Sequence, residues 1–446
     1  MERLIYGDLL GWKGSDRRKP LILRGVRQCG KTHLLKEFGE REYRDVAYFN
    51  FEGNSDLSAV FRRNMDVARI VGELSVLRGS EITAETLIIF DEVQFCAAAL
   101  TSLKYFCEDA PGYHIACAGS LLGLMLPEGR GAGGGSLSFP VGKVDMLTLR
   151  PMCYLEFLRA TGRGMHADAL RRLEPGEEVP ESMAGELEAA YREHCAVGGM
   201  PEAVLAWAGS RDMGAVERIL LNIANSYRSD FTRYAPRGES AKLNRVWESV
   251  PGQISKENRR FFFGHAVEGA RASQLEDALQ WILDAGLAYR VRLTERPGIP
   301  LSANASESIF KIYSSDMGLL RTMAGAPAQS ILLGDGDFND FKGGMTENFV
   351  MCELASLLGD GAGIAYWKNP KGSAEVDFVA AMGGRIVPIE VKSGRAPRLK
   401  SMEEYMRRFE PDRALVVSME NVRTGRVCFV PPYMVWRARE ILDAPR

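Results

Sequence analysis

The chain has 446 residues, 46% of them hydrophobic and 26% charged, with a formal net charge of −2. That length exceeds one ordinary core and calls for two or three globular domains, while the near-neutral balance excludes binding of nucleic acid by a bulk positive field and leaves only a local patch for it. No apolar stretch approaches a membrane span, and Met1-Glu2-Arg3-Leu4 lacks the basic start and apolar core of a signal peptide, so a cytoplasmic location without membrane contact is expected.

Residues 20–24 form a short apolar run of strand type, and residues 33–38 have helical spacing. Between them, Gly25-Val26-Arg27-Gln28-Cys29-Gly30-Lys31-Thr32 spells GxxxxGKT in the strand–loop–helix setting that a phosphate-binding loop needs. The two glycines let successive N–H groups and the helix N-terminus point at a phosphate. The expected nucleotide contacts are therefore Gly25, Arg27, Gln28, Cys29, Gly30, Lys31, Thr32 and His33. Lys31 is expected to reach the β- and γ-phosphates and to assist catalysis, and the Thr32 hydroxyl to ligate a metal; the implied cofactors are ATP and Mg2+. A glycine turn before an ordinary helix is the plain alternative.

Residues 46–51 read as a further strand and residues 57–77 as a helical stretch. The apolar run 87–90 closes on Asp91 and Glu92, as a buried strand of a parallel sheet would at its carboxyl end. Asp91 is expected to hold Mg2+ through water and Glu92 to polarise the attacking water. An acidic pair ending a strand at the surface is the alternative. Gln94 follows as a residue that contacts the γ-phosphate or relays its presence. Residues 113–118 form another strand, ending in Gly119-Ser120; Ser120 is expected as a polar sensor of the γ-phosphate, or as a helix N-cap. Residues 128–136 are a glycine-rich loop, and residues 144–149 a final strand closed by Arg150-Pro151. The alternation of strands and helices to about residue 160 predicts a doubly wound α/β sheet.

From residue 156 to about 240 the pattern is helical, broken by the turn Gly198-Gly199-Met200-Pro201; residues 222–233 are amphipathic and carry Arg228 and Arg233. Helices between 244 and 292 lead into the strand-like run 287–293, which suits a small winged-helix unit or a plain helical bundle. Strand 310–313, a helix over 346–358 with Glu347, and strand runs 365–367, 374–380 and 386–392 follow. The expected domains are 1–160, 161–300 and 301–446.

Asp377 sits inside a strand, and Glu390 and Lys392 share one face of the next. With Glu347 they form the arrangement of PD-(D/E)xK nucleases, in which carboxylates hold a divalent cation and the lysine orients water. The alternative is an inactive remnant in which Lys392 neutralises Glu390. Lys392, Arg395, Arg398, Lys400, Arg407 and Arg408 make a basic cluster that either tracks phosphates or is solvated helix charge. The eight cysteines are scattered singly without a CxxC, as in a reducing compartment, and the five histidines show no HExxH.

The segments at 25–35, 87–94, 118–124, 149–158, 198–201, 226–231, 311–320, 346–350, 375–379 and 388–394 resemble a widespread prokaryotic family that pairs an AAA-type ATPase core with a C-terminal domain of unknown function. The resemblance implies a P-loop NTPase sheet with an additional strand and catalytic glutamate, a helical lid, a winged-helix-like part and a restriction-endonuclease-like α/β end. Two departures stand out. Ala118 replaces the threonine such chains carry before Gly119-Ser120, and Lys143 replaces an arginine after Gly142. Lys143 lacks the planar guanidinium fork, so Arg150, Arg228 and Arg233 are alternative arginine fingers. The expected function is a regulatory or DNA-acting ATPase; the rivals are an ATP-regulated DNA nuclease and a nucleotide-dependent switch that binds a protein partner. The oligomeric state is left open.

Overall fold

The computed structural model describes residues 1–119, 140–235, 238–255, 260–269, 271–334, 339–360, 363–394 and 398–444, without the side chains of 272 and 339–341. Two compact units emerge: residues 2–150 with 284–286, and residues 151–283 with 287–444. Ser120, the glycine-rich run 128–136 and Arg395 lie outside the described residues.

The first unit is a parallel sheet of β1 (Leu21–Arg24), β2 (Asp45–Asn50), β3 (Thr86–Asp91), β4 (His114–Ala118) and β5 (Asp145–Thr148), in the order β2-β3-β4-β1-β5. All six residues of β3 are buried, which is why it reads as an unbroken apolar run rather than an alternating one. One face of the sheet, with Ile22, Phe49, Ile88, Phe90, Ile115 and Cys117, packs into a core with the helices Ser55–Val60, Val67–Arg78 and Ala97–Asp109. β4 stands between the glycine-loop strand β1 and the acidic strand β3. This is the additional strand that the family resemblance implies.

The second unit combines helices with a mixed sheet of β6 (Ala288–Thr294), β7 (Ala305–Ser314), β8 (Ile364–Lys368), β9 (Glu375–Met382), β10 (Arg385–Val391), β11 (Ala414–Val417) and β12 (Val427–Val430). Its order is β12-β11-β10-β9-β8-β6-β7. The strand run at 287–293 is therefore no separate wing: β6 pairs antiparallel with β7 and parallel with β8 inside this sheet. The units part at Arg150, and β6 and β7 hydrogen-bond across position 300. Local periodicity cannot see a partner strand some 70 residues away, which is the separation of β6 and β8.

Three of the family-like segments form one interlock here. Met152 N–H donates to Gly199 O at 2.7 Å, and a ring nitrogen of buried His194 lies 3.0 Å from Met152 O. Asp316 accepts from Gly199 N–H at 2.6 Å and from Leu319 N–H at 2.8 Å. A Cβ at Gly199 would fall 2.3 Å from Met152 O, and one at Gly318 2.2 Å from Val197 O. These glycines allow backbone-to-backbone contact, so the segments around 152, 198 and 316 are structural. The helix Met213–Tyr234 buries Ile223, Tyr227 and Phe231 within the amphipathic stretch expected over 222–233, and Val216 and Leu220 before it.

Candidate nucleotide site

The loop between β1 and the helix Lys31–Glu42 takes its shape from three residues with positive φ: Gly25 at +149°, Gln28 at +65° and Gly30 at +97°. Gly25 admits no side chain, because a Cβ there would lie 2.1 Å from Leu149 O. The end of β5 fastens the loop: Leu149 N–H donates to Arg24 O at 2.8 Å, and Cys29 Sγ lies 3.5 Å from Leu149 O. Buried Arg3 adds a clamp from the chain's first residues, donating to Cys29 O at 3.0 Å and to Arg150 O. The Lys31 ammonium bends over the loop, 2.8 Å from both Gly25 O and Val26 O. His33 points to solvent and pairs with Glu37 at 3.7 Å.

The acidic strand meets this loop from the side. Thr32 Oγ1 lies 3.1 and 3.0 Å from the two Asp91 carboxylate oxygens, and Asp91 is only 4% exposed. Tyr48 on β2 donates to Asp91 Oδ2 at 2.7 Å, and Glu92 N–H reaches Oδ1 at 3.1 Å. Glu92 adopts a left-handed backbone, φ 49° and ψ 40°, a costly conformation for a residue with a Cβ. That turn frees its carboxylate from the strand, where Gln94 Nε2 donates to it. Gln94 Oε1 is buried with no hydrogen-bond partner among the described residues. Lys143 pairs with Glu108 at 2.8 Å, and Arg228 with Glu248 at 3.1 Å. The Arg233 guanidinium lies 5.2 Å from the Tyr234 ring.

The motif residues Lys31, Thr32 and Asp91 thus come together, with Glu92 adjoining them. Tyr48 and Arg3 escaped the sequence reading. A polar hydroxyl on an otherwise apolar strand was the one signal for Tyr48; Arg3 had none, because its partners lie 26 and 147 residues away.

In the second unit, Asp377 and Glu390 adjoin the last β9–β10 register pair, Phe378 with Ile389, and Asp377 Oδ2 accepts from Val391 N–H at 2.8 Å. Lys392 Nζ lies 2.6 Å from Glu390 Oε1; Glu390 Oε2 is buried with no hydrogen-bond partner among the described residues. Burial first, then the Asp377 charge, pushes the Glu390 carboxyl above its ordinary range against the pull of Lys392. Glu347 accepts from the Tyr313 hydroxyl at 3.1 Å. Among the described residues, no three His, Cys, Asp or Glu side chains gather closely enough to hold a metal. Two residues beside this cluster had not been singled out: Lys311, 2% exposed, pairs with Glu375 at 2.7 Å. Arg407 and Arg408 end the helix Lys400–Phe409.

Comparison with known families gives three matches along the chain. Residues 17–158 match a family described as an AAA domain, residues 188–330 a domain of unknown function (DUF8612), and residues 342–433 a domain of unknown function (DUF4143). The first unit therefore has the sheet and the family likeness of an AAA-type P-loop ATPase domain. No curated protein matches the chain. Among solved structures, the Walker-type ATPase PABY2304 of Pyrococcus abyssi is similar at 16% identity and a TM-score of 0.44, over 72% of this chain and 95% of that one. The Aeropyrum pernix ORC1 protein in complex with DNA follows at 13% and 0.29, over 74% and 92%. The Thermotoga maritima RuvB Holliday junction branch migration motor stands at 14% and 0.30, over 65% and 90%. Likenesses this distant say nothing of function. No described helix is long and apolar enough to cross a membrane.

Proposed function

We propose that this chain binds ATP with Mg2+ on the loop 25–33 and hydrolyses it, serving as a cytoplasmic nucleotide switch of regulatory or DNA-associated kind. The observation that carries the reading is the convergence of the Thr32 hydroxyl on the Asp91 carboxylate at 3.0–3.1 Å, beside Lys31 and next to Glu92. Both are hard oxygen donors, the type that Mg2+ takes alongside substrate phosphates, so these residues fit the ion and would hold it. When bound, Mg2+ would neutralise charge on the β- and γ-phosphates. The loop N–H groups of residues 27–33 would cradle the phosphates at the helix N-terminus. Lys31 would exchange its two loop carbonyls for phosphate oxygens. Glu92 would orient and deprotonate the attacking water, and Gln94, bonded to Glu92, would relay the presence of the γ-phosphate. Ser120 is kept as the polar sensor. The eight free cysteines support a reducing, cytoplasmic setting.

The C-terminal sheet is read as the partner-binding part, with Glu347, Asp377, Glu390 and Lys392 a degenerate nuclease-like cluster. The Lys392–Glu390 pair supports that reading, because the lysine already compensates one of the charges a cation would. ATP turnover with and without duplex DNA, on wild type and Lys31→Ala, tests the whole. Turnover stimulated by DNA supports a DNA-associated role; turnover indifferent to DNA favours a protein-binding switch. A folded Lys31→Ala chain that keeps its ATP affinity overturns the assignment of the loop.

A further inference from the structure

A residue outside the phosphate-binding motifs holds the same carboxylate as Thr32. Tyr48 lies on β2, whose parallel register sets it beside Ile89 and sets Asn50 beside Asp91. Its phenol donates to Asp91 Oδ2 at 2.7 Å, the shortest of that carboxylate's contacts. The Lys36 ammonium sits 3.7 Å from the Tyr48 ring centroid. Lys36 stands one turn beyond Thr32 on the helix that begins at Lys31, so Tyr48 bridges the loop helix and the acidic strand.

We propose that Tyr48 is a positioning residue of the nucleotide site: its hydroxyl, steadied by Lys36, fixes the plane of the Asp91 carboxylate toward Thr32 and toward the cation these two would hold. This rests on the ATP–Mg2+ reading above. Thr32 cannot do the fixing alone. It carries one hydroxyl proton and lies almost equally far, 3.1 and 3.0 Å, from both Asp91 oxygens. The Glu92 N–H takes Oδ1 and the Tyr48 hydroxyl takes Oδ2, so both oxygens are tied from the strand side. The carboxylate would then keep its orientation with the Thr32 oxygen committed to the cation these two would hold. Asp91 is nearly inaccessible, so water does not readily replace a lost donor.

The test is binding of a fluorescent ATP analogue to the full chain, titrated against Mg2+, for wild type, Tyr48→Phe and Lys36→Met. Tyr48→Phe keeps the ring and removes the hydroxyl. Partners that orient metal ligands typically change metal affinity 10–100-fold, so the Mg2+ midpoint should rise by about tenfold or more. Turnover lost at low Mg2+ should return as Mg2+ is raised. Lys36→Met should move the same midpoint in the same direction by a smaller factor. A Tyr48→Phe midpoint equal to wild type overturns the proposal, as does a loss that Mg2+ does not recover. If wild type itself shows no Mg2+-dependent tightening, the ATP–Mg2+ reading fails first and this inference falls with it.

Discussion

Gly25→Ala is the sharpest perturbation of the phosphate loop, because its effect can be worked from two distances. The new Cβ would lie 2.1 Å from Leu149 O and 3.0 Å from Cys29 Sγ. Ordinary contact near 3.4 Å requires the loop and the end of β5 to part by more than about 1 Å, because the Leu149 carbonyl is backbone and cannot swing aside as a side chain would. That movement strains the 2.8 Å bond between Leu149 N–H and Arg24 O and shifts the N–H groups that would face the phosphates. A displacement of about 1 Å at a reacting centre costs roughly 100-fold, and the forced backbone conformation adds about 1–3 kcal/mol to the instability of the fold. The assay is ATP binding and turnover on protein shown by circular dichroism to be folded. Gly53→Ala is the control: its φ is +69°, yet nothing lies within 4 Å of its Cβ, so it isolates the strain of the left-handed conformation at about 1 kcal/mol. A folded Gly25→Ala chain with wild-type affinity and turnover would refute the reasoning, and so would a Gly53→Ala chain that loses nucleotide as severely.

Glu92→Gln should retain nucleotide and Mg2+ but slow hydrolysis by about two orders of magnitude or more, the usual worth of a general base; wild-type turnover in this variant would assign the water to another residue. Glu353 is buried and its carboxyl is raised to about 8 from 4.5, chiefly by burial. A raised acid holds its proton in the folded state, so its contribution to stability is complete below about pH 4.5 and is lost as pH rises toward 8. Glu353→Gln, which preserves the acceptor for Tyr154 N–H, should flatten that decline in denaturant melts taken from pH 4 to 9; an unchanged pH profile would show the carboxyl to be ionised when folded. Asp377→Ala leaves Val391 N–H without its acceptor and should cost about 1–3 kcal/mol, equally with and without Mg2+ or Mn2+. A cost that grows with metal concentration would instead mean that Asp377 holds a cation.

The phosphate loop and the acidic strand end were readable from the chain alone, because each is a contiguous stretch whose chemistry follows from its own backbone. GxxxxGKT dictates a turn into a helix N-terminus, and an apolar run ending in Asp91-Glu92 dictates a buried strand with its acids at the open edge. The helical face of 222–233 and the face shared by Glu390 and Lys392 were legible for the same reason, since periods of 3.6 and 2 are local. Which strand lies beside which, and all that follows from it, came from the folded chain. It set β4 between β1 and β3, brought Tyr48 from β2 onto Asp91, and brought Arg3 onto the loop. It also drew β6 and β7 into the C-terminal sheet, where the sequence had suggested a wing. Pairings between distant segments are chosen by the burial of whole faces rather than by any residue's neighbours in the chain, so they leave no period or motif behind.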